Sequence, residues 1–203
     1  MISKRCLLLA TNNHGKLREL HSLLNDLIGV ELVSPKDIGL VLNVEEVGET
    51  YAENAALKAK AFANASGLIA LADDSGLEVD ALDGAPGLYS ARYAPKVGAT
   101  DADRREYLLQ NLTGKPRPWT ARFRATIAVA IPNGNVQFAA GICEGEISLE
   151  GRGTGGFGYD PIFVLAGMHK TMAELSEEEK NQVSHRARAV KAADSIIRKM
   201  FPL

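Results

Sequence analysis

Two unbroken apolar runs constrain this chain most: Cys6-Leu-Leu-Leu-Ala10, continuing to Thr11, and Leu68-Ile-Ala-Leu-Ala72. Both are strand-length and apolar throughout, the pattern of buried strands. Each ends in polar residues, Thr11-Asn-Asn13 in one case and Asp73-Asp-Ser-Gly76 in the other. After the first, Leu17, Leu20 and Leu24 recur at helical spacing, so strand, polar turn and helix follow in order. Before the second, Thr50-x-x-Glu53 forms a capping box that opens an alanine-rich helix from Tyr51 to about Ser66, with Gly67 as its stop.

The remaining elements extend this pattern. Val30 to Val33 predicts a short strand, and Thr100-Asp-Ala-Asp103 starts a helix ending near Asn111. Arg122 to Ile131 and Val136 to Ile147 read as two long strands joined by Pro132-Asn-Gly-Asn135, a hairpin signal because Asn-Gly supplies positive φ. A strand at Ile162 to Leu165 precedes a helical tail in which Ser176-x-x-Glu179 is a second capping box. Ser184 is placed to cap the last helix, whose apolar stripe is Val190, Ala193, Ile197 and Met200. Intermixed strands and helices with at least one antiparallel pair predict an α/β fold with a mixed sheet.

Bulk properties exclude several classes. The 203 residues are enough to bury a core, and 46% apolar with 24% charged residues is the composition of a globular protein. A formal net charge of −2 argues against bulk electrostatic binding to nucleic acid or an anionic membrane. Cys6 and Cys143 form no C-x-x-C spacing and read as small core residues. The apolar run after Arg5 is too short for a signal peptide or a membrane span, so a cytoplasmic protein is expected.

Thr11-Asn12-Asn13-His14-Gly15-Lys16 lies at a strand end where a helix begins. Open α/β sheets bind ligands there, and a helix N-terminus with a nearby lysine suits phosphate. It is not a Walker A loop, since Ala10 and Leu17 stand where glycine and Ser/Thr are required. Asp73 and Asp74 are expected at the end of the second strand, with side chains on alternate faces. One of them could hold a hard cation or take a proton from water, or the pair could close an Asx turn with Ser75-Gly76. Asn54 and Lys58 share a helical face, and Glu46 before that helix is free to reach a metal.

Gly153-Thr-Gly-Gly-Phe-Gly-Tyr-Asp-Pro161 concentrates four glycines, two aromatic rings and a carboxylate, which suits a planar ligand or a tight connection between strands. Its formal G-x-G-x-x-G match is not a dinucleotide fingerprint, because Pro161 and the residues after it predict a strand and not a helix. Ser184-His185-Arg186 puts a cation at a helix start, where it opposes the helix dipole and asks for a reason; ligand recognition is one. Gly84-Ala-Pro-Gly87 signals a type II turn leading to Arg92.

Together, in order, these segments resemble the inosine triphosphate pyrophosphatase family, the non-standard purine NTP (dITP/XTP) pyrophosphatases. The resemblance rests on Thr11-Asn-Asn-x-Gly-Lys16, Glu53-Asn-Ala-x-x-Lys58-Ala, Ala72-Asp-Asp-Ser-Gly76, Gly84-Ala-Pro-Gly-x-Tyr-Ser-Ala-Arg92, Gly153 to Pro161 and Ser184-His-Arg186. Asn12 departs from the family's usual glycine, and asparagine tolerates a left-handed turn. The resemblance implies one catalytic domain over 1–203, with an elongated mixed β-sheet flanked by helices and two lobes around a central active-site cleft. It also implies Mg²⁺-dependent hydrolysis of ITP, dITP and XTP to monophosphate and pyrophosphate by a homodimer, clearing deaminated purines from the nucleotide pool.

Under that resemblance Lys16 and Lys58, with Thr11, Asn12, Asn13, His14 and Gly15 of the first turn and Ser75, hold the triphosphate. Asp74 and Glu46 hold Mg²⁺, Asp74 also activates water, and Asp73 supports it. Phe157, Gly158, Tyr159, Asp160, Lys180, His185 and Arg186 form the base pocket. A nucleotide sensor would need no water-activating carboxylate, and a pyrimidine nucleotide pyrophosphatase would share the phosphate machinery.

Overall fold

The computed structural model describes residues 5–201. Its elements are β1 (Arg5–Leu9), α1 (His14–Leu23), β2 (Val30–Val33), α2 (Tyr51–Ser66), β3 (Ile69–Val79), α3 (Asp101–Leu112), β4 (Thr120–Ala130), β5 (Val136–Ile147), β6 (Phe163–Leu165), α4 (Glu177–Val183) and α5 (His185–Met200). The strands form one sheet in the order β2-β1-β3-β4-β5-β6. β1 pairs in parallel with β2 and β3, whereas β5 and β6 are antiparallel, so the sheet is mixed as expected.

Two compact units are distinguishable. The first holds the chain through Asp74, then Ala125–Gly141 and the segment from Arg186 on; the second holds Ser75–Arg124 and Ile142–His185. In the first unit, strand alternation sorts the core into two layers. Leu7, Leu9, Leu71, Ile127 and Val129 pack with Leu20 and Leu24 at α1 and with Val190, Ala193 and Ile197 of α5. Their neighbours Leu8, Ala70, Ala72, Ala128 and Ala130 pack with Ala55, Ala59, Phe62 and Ala63 of α2. The alanine-rich composition of α2 thus matches a sheet face that is itself mostly alanine. The second unit has its own core, including Leu77, Val79, Leu108, Leu112, Trp119, Phe123, Tyr159 and Phe163.

Local chemistry sets the helix ends. Thr50 accepts from the Glu53 amide while the Glu53 carboxylate accepts from the Thr50 amide, and Gly67 ends α2 at φ 72°. The same reciprocal cap opens α3 at Thr100/Asp103 and α4 at Ser176/Glu179. In the β4–β5 connection the positive φ (53°) falls on Asn133.

Three expectations need correction. The strand expected to stop at Asp73-Asp74 continues to Val79, because Leu77 and Val79 extend the buried side of the ladder and the carboxylates have partners within the fold. Pro86 has φ −74° and ψ −20°, not the extended ψ of a type II turn, and leads into a 3-10 stretch over Gly87–Arg92. There Ser90 Oγ donates to the Gly87 carbonyl and accepts from the Leu77 amide, which holds the coil. Asp160–Ile162 is a 3-10 turn, so the last strand starts at Phe163. Ser184 is the single residue between α4 and α5, extended at φ −66° and ψ 157°, its amide donating to the Lys180 carbonyl at the end of α4. Among the described residues no helix is long and apolar enough to cross a membrane.

Candidate active site

The alternation of β3 decides where its two aspartates go. Asp73 shares the side of Leu71, the layer of α1 and α5, while Asp74 shares the side of Ala72, the layer of α2. Asp73 accordingly meets Lys16 of α1, with Nζ 2.9 Å from Oδ2, and Arg186 of α5, with Nη2 3.0 Å from Oδ2. Arg186 Nη1 also donates to Glu19 of α1. Asp73 and Arg186 are 1% and 2% exposed, so this is a buried ion cluster. Burial alone would raise the Asp73 carboxyl, but Arg186 and Lys16 outweigh it and hold the group well below the usual carboxylate range. Burial depresses Lys16 despite the attraction of Asp73.

On the other face, Lys58 Nζ donates to Asp74 Oδ1 at 2.7 Å, to Glu46 Oε1 at 2.9 Å and to the Asp73 carbonyl at 3.0 Å. Burial is the main cause that pushes the Asp74 carboxyl above its ordinary value, even with Lys58 opposing it. Burial also works against the charged Lys58, but Asp74 and Glu46 together leave its ammonium raised. Glu46 lies on the irregular segment before α2, two residues from Gly48. Asn54 fixes that segment: its Oδ1 accepts from the Gly48 amide at 2.8 Å and its Nδ2 donates to the Gly48 carbonyl at 3.4 Å. A Cβ at Gly48 would stand 2.7 Å from Glu53 Cβ, so the close approach requires glycine. Asn54 is buried, its side chain turned to this anchoring.

The first turn is built as expected. Asn13 is the N-cap of α1, its Oδ1 accepting from the Lys16 amide at 3.0 Å, and Thr11 Oγ1 accepts from the Asn13 amide at 3.2 Å. Asn12, Asn13 and His14 are exposed, Thr11 and Gly15 half-buried. Asn12 is not among the described residues with positive φ, so the turn does not depend on glycine there.

The second unit gathers another part of the predicted set. Asp160 Oδ2 accepts from the Phe157 amide at 2.9 Å and from Lys180 Nζ at 2.6 Å, and Lys180 Nζ lies 5.5 Å from the Phe157 ring centroid. Tyr159 is buried, and its hydroxyl donates to the Ser90 carbonyl at 2.9 Å; burial pushes that phenol up. Ser75 is half-buried in β3, and the His185 ring stacks on Phe123 at 4.7 Å. Arg186, expected beside the base pocket, has its guanidinium on Asp73 and Glu19.

Sequence reasoning missed Glu19, Asp101 and Arg105. Glu19 follows Lys16 by three positions on α1, the spacing of one helical face, and that was the available signal. Asp101 Oδ2 accepts from the Gly158 amide at 2.8 Å and Arg105 Nη1 donates to the Gly158 carbonyl at 2.7 Å. In sequence that pair reads as an ordinary i, i+4 ion pair on a helix surface.

Chemically, the first unit offers two carboxylates, Glu46 and Asp74, that converge on a single cation, here the Lys58 ammonium. Such a donor set suits a hard divalent ion, which binds through one or two carboxylates and completes its shell with phosphate oxygens and water.

The Ham1 family model matches residues 7–196. A protein of Desulforamulus reducens named dITP/XTP pyrophosphatase is 50% identical over 198 residues, covering 96% of each chain. One of the same name from Listeria monocytogenes is 48% identical over 91% of each. The solved structure of a HAM1 protein from Coxiella burnetii superposes with a TM-score of 0.85 at 40% identity, covering 96% of this chain and 99% of that one. With sequence and fold matched over nearly its whole length, this chain belongs to the Ham1 family.

Proposed function

We propose that this protein hydrolyses non-standard purine nucleoside triphosphates, namely ITP, dITP and XTP, to the monophosphate and pyrophosphate. The observation that carries the proposal is the convergence of Glu46 and Asp74 on Lys58, with Lys16, paired to the Asp73 carboxylate, donating to the same Asp73 carbonyl as Lys58. The names of its relatives supply the substrate class.

Cleavage between the α- and β-phosphates concentrates negative charge on the transferred group and on the departing pyrophosphate, so catalysis is mostly positioning and charge stabilisation. Lys16 and the first-turn residues Thr11 to Gly15, with Ser75, bind phosphate oxygens. Glu46 and Asp74 would hold Mg²⁺, which when bound supplies positive charge against those oxygens. Lys58 leaves its carboxylate partners for the phosphates as the nucleotide enters. Asp74 orients the attacking water and accepts its proton. Asp73 stays ionised and holds Lys16 and Arg186.

Phe157 stacks on the purine, with Gly158, Tyr159 and Asp160 completing that wall. Lys180, His185 and Arg186 are the donors that favour a 6-keto purine, since the adenine amino group would meet them donor to donor. The chain 1–203 serves as one catalytic domain, acting as a cytoplasmic homodimer that forms no stable complex with nucleic acid or membrane; its net charge of −2 supports the last point.

The test is a panel of nucleoside triphosphates with Mg²⁺, assaying pyrophosphate and orthophosphate separately. Pyrophosphate release from ITP, dITP and XTP, with ATP and the pyrimidine nucleotides turned over far more slowly, is expected. Orthophosphate as the direct product overturns the cleavage position, and no turnover of any nucleotide leaves the nucleotide-sensor alternative.

A further inference from the structure

Phe157 sits in a loop where Gly153, Gly156 and Gly158 all have positive φ, at 79°, 72° and 60°. Such a backbone has wide conformational freedom unless its peptide groups are tied. The peptide before Phe157 is tied by Asp160, whose Oδ2 accepts the Phe157 amide at 2.9 Å. The peptide after it is tied from α3, where Asp101 Oδ2 accepts the Gly158 amide at 2.8 Å. The next peptide is tied from the same helix, Arg105 Nη1 donating to the Gly158 carbonyl at 2.7 Å.

Every peptide plane from Phe157 to Tyr159 therefore ends on an ionic side chain, and the Tyr159 hydroxyl pins the far end to Ser90. Hydrogen bonds to ionised groups are among the stronger ones in proteins. Asp101 stays charged: burial would raise its carboxyl, but the Gly158 amide and Arg104 pull it below its ordinary value. Asp101 opens α3 and Arg105 lies one turn on, so helix geometry spaces the two groups to take the donor and acceptor of a single residue.

We propose that Asp101 and Arg105 are positioning residues for base recognition: they clamp Gly158 from both sides and so fix the face that Phe157 presents to the purine. The inference rests on the reading that Phe157 stacks on the base. It extends the recognition machinery to α3, which acts through Gly158. Preorganisation of this kind alters affinity by removing the ordering that binding would otherwise require.

The test separates the base end from the phosphate end by titrating two probes calorimetrically, inosine monophosphate and pyrophosphate. Asp101→Ala and Arg105→Met are each expected to weaken inosine monophosphate binding by about tenfold, the scale of one charge-assisted hydrogen bond, with pyrophosphate binding unchanged. Asp101→Asn keeps an oxygen acceptor for the Gly158 amide and is expected to restore binding to within about threefold of wild type. Thermal midpoints report folding, and Arg105→Met carries the test if Asp101→Ala does not fold. Phe157→Ala is the reference. If it weakens inosine monophosphate while neither clamp variant does, the clamp is overturned and stacking stands. If Phe157→Ala itself has no effect, stacking falls and the clamp's role falls with it. Equal weakening of both probes in the clamp variants means general loosening and also overturns the inference.

Discussion

Lys58 Nζ lies 2.7 Å from Asp74 Oδ1, joining a helix in one layer to the middle of a strand in the sheet. The pair is only slightly exposed, and the same ammonium reaches Glu46 at 2.9 Å. One lysine thus holds together the two carboxylates that would hold Mg²⁺. Lysine and metal are therefore expected to compete for them, with the incoming triphosphate drawing the lysine away.

Asp74→Asn should lower kcat by about 10²-fold or more, the scale of lost general-base help. The amide cannot accept the proton from water and is a weaker cation ligand. Steady-state pyrophosphate release from ITP at saturating Mg²⁺ is the measurement, and near-wild-type turnover would remove Asp74 from the mechanism.

Arg186→Ala separates two roles of one side chain. If Arg186 reads the 6-keto oxygen, the ratio of kcat/KM for ITP over ATP should fall by about tenfold or more. If its task is confined to Asp73 and Glu19, both substrates should lose kcat together and the ratio should stay. The first outcome is expected. Arg186→Lys should show the same direction, because an ammonium keeps the charge but not the planar fork.

The placement of Arg186 also shows what the sequence could carry and what it could not. A cation at a helix start opposes the dipole, and ligand recognition is one reason to place it there. The fold supplies another: Asp73 and Glu19 both meet the guanidinium. Those partners are 113 and 167 residues away along the chain, so no local pattern could reveal them. By contrast α2 was legible, because its cap (Thr50, Glu53) and its stop (Gly67) are local chemistry. The alternation of Asp73 and Asp74 was legible for the same reason. Their position in mid-strand was not, since it depends on Leu77 and Val79 finding a core far along the chain. Asp101 and Arg105 were unreadable as loop anchors, because Gly158 lies 57 and 53 residues on.

Gly156→Ala should disable the aromatic loop. At φ 72° a Cβ would collide with Asp160 Oδ2 and stand 2.9 Å from Lys180 Nζ, breaking the contacts that orient Phe157. The left-handed backbone alone costs an alanine about 1–2 kcal/mol, and the clash adds to it. Gly158→Ala is the control, with φ 60° but nothing within 4 Å of its Cβ. Urea unfolding should show the larger loss for Gly156→Ala. Equal losses would mean that backbone strain, and not the Asp160–Lys180 contact, sets the requirement for glycine.

Asp73 makes the stability of this protein depend on pH with a defined sign. Its folded carboxyl is held well below the ordinary value by Arg186 and Lys16 in spite of burial, while in the unfolded chain it titrates near about 3.9. Above that unfolded value both states are ionised and the stabilisation from the pair is fully present. As the pH falls below it, the unfolded state takes up the proton first, and the stabilisation is progressively lost toward the lower folded value. Asp73→Asn removes this linkage and leaves Arg186 with Glu19 as its remaining carboxylate partner of the pair it had. The variant should be less stable by about 3 kcal/mol at neutral pH, as expected for breaking a buried pair. Its deficit against wild type should shrink as the pH is lowered from about 4 to about 2, the window below the unfolded carboxylate value. Urea unfolding of both proteins across that range is the measurement. A deficit that stays constant or grows toward acid would show that Asp73 is not ionised in the folded protein, and the ion cluster around Asp73 would have to be reassigned.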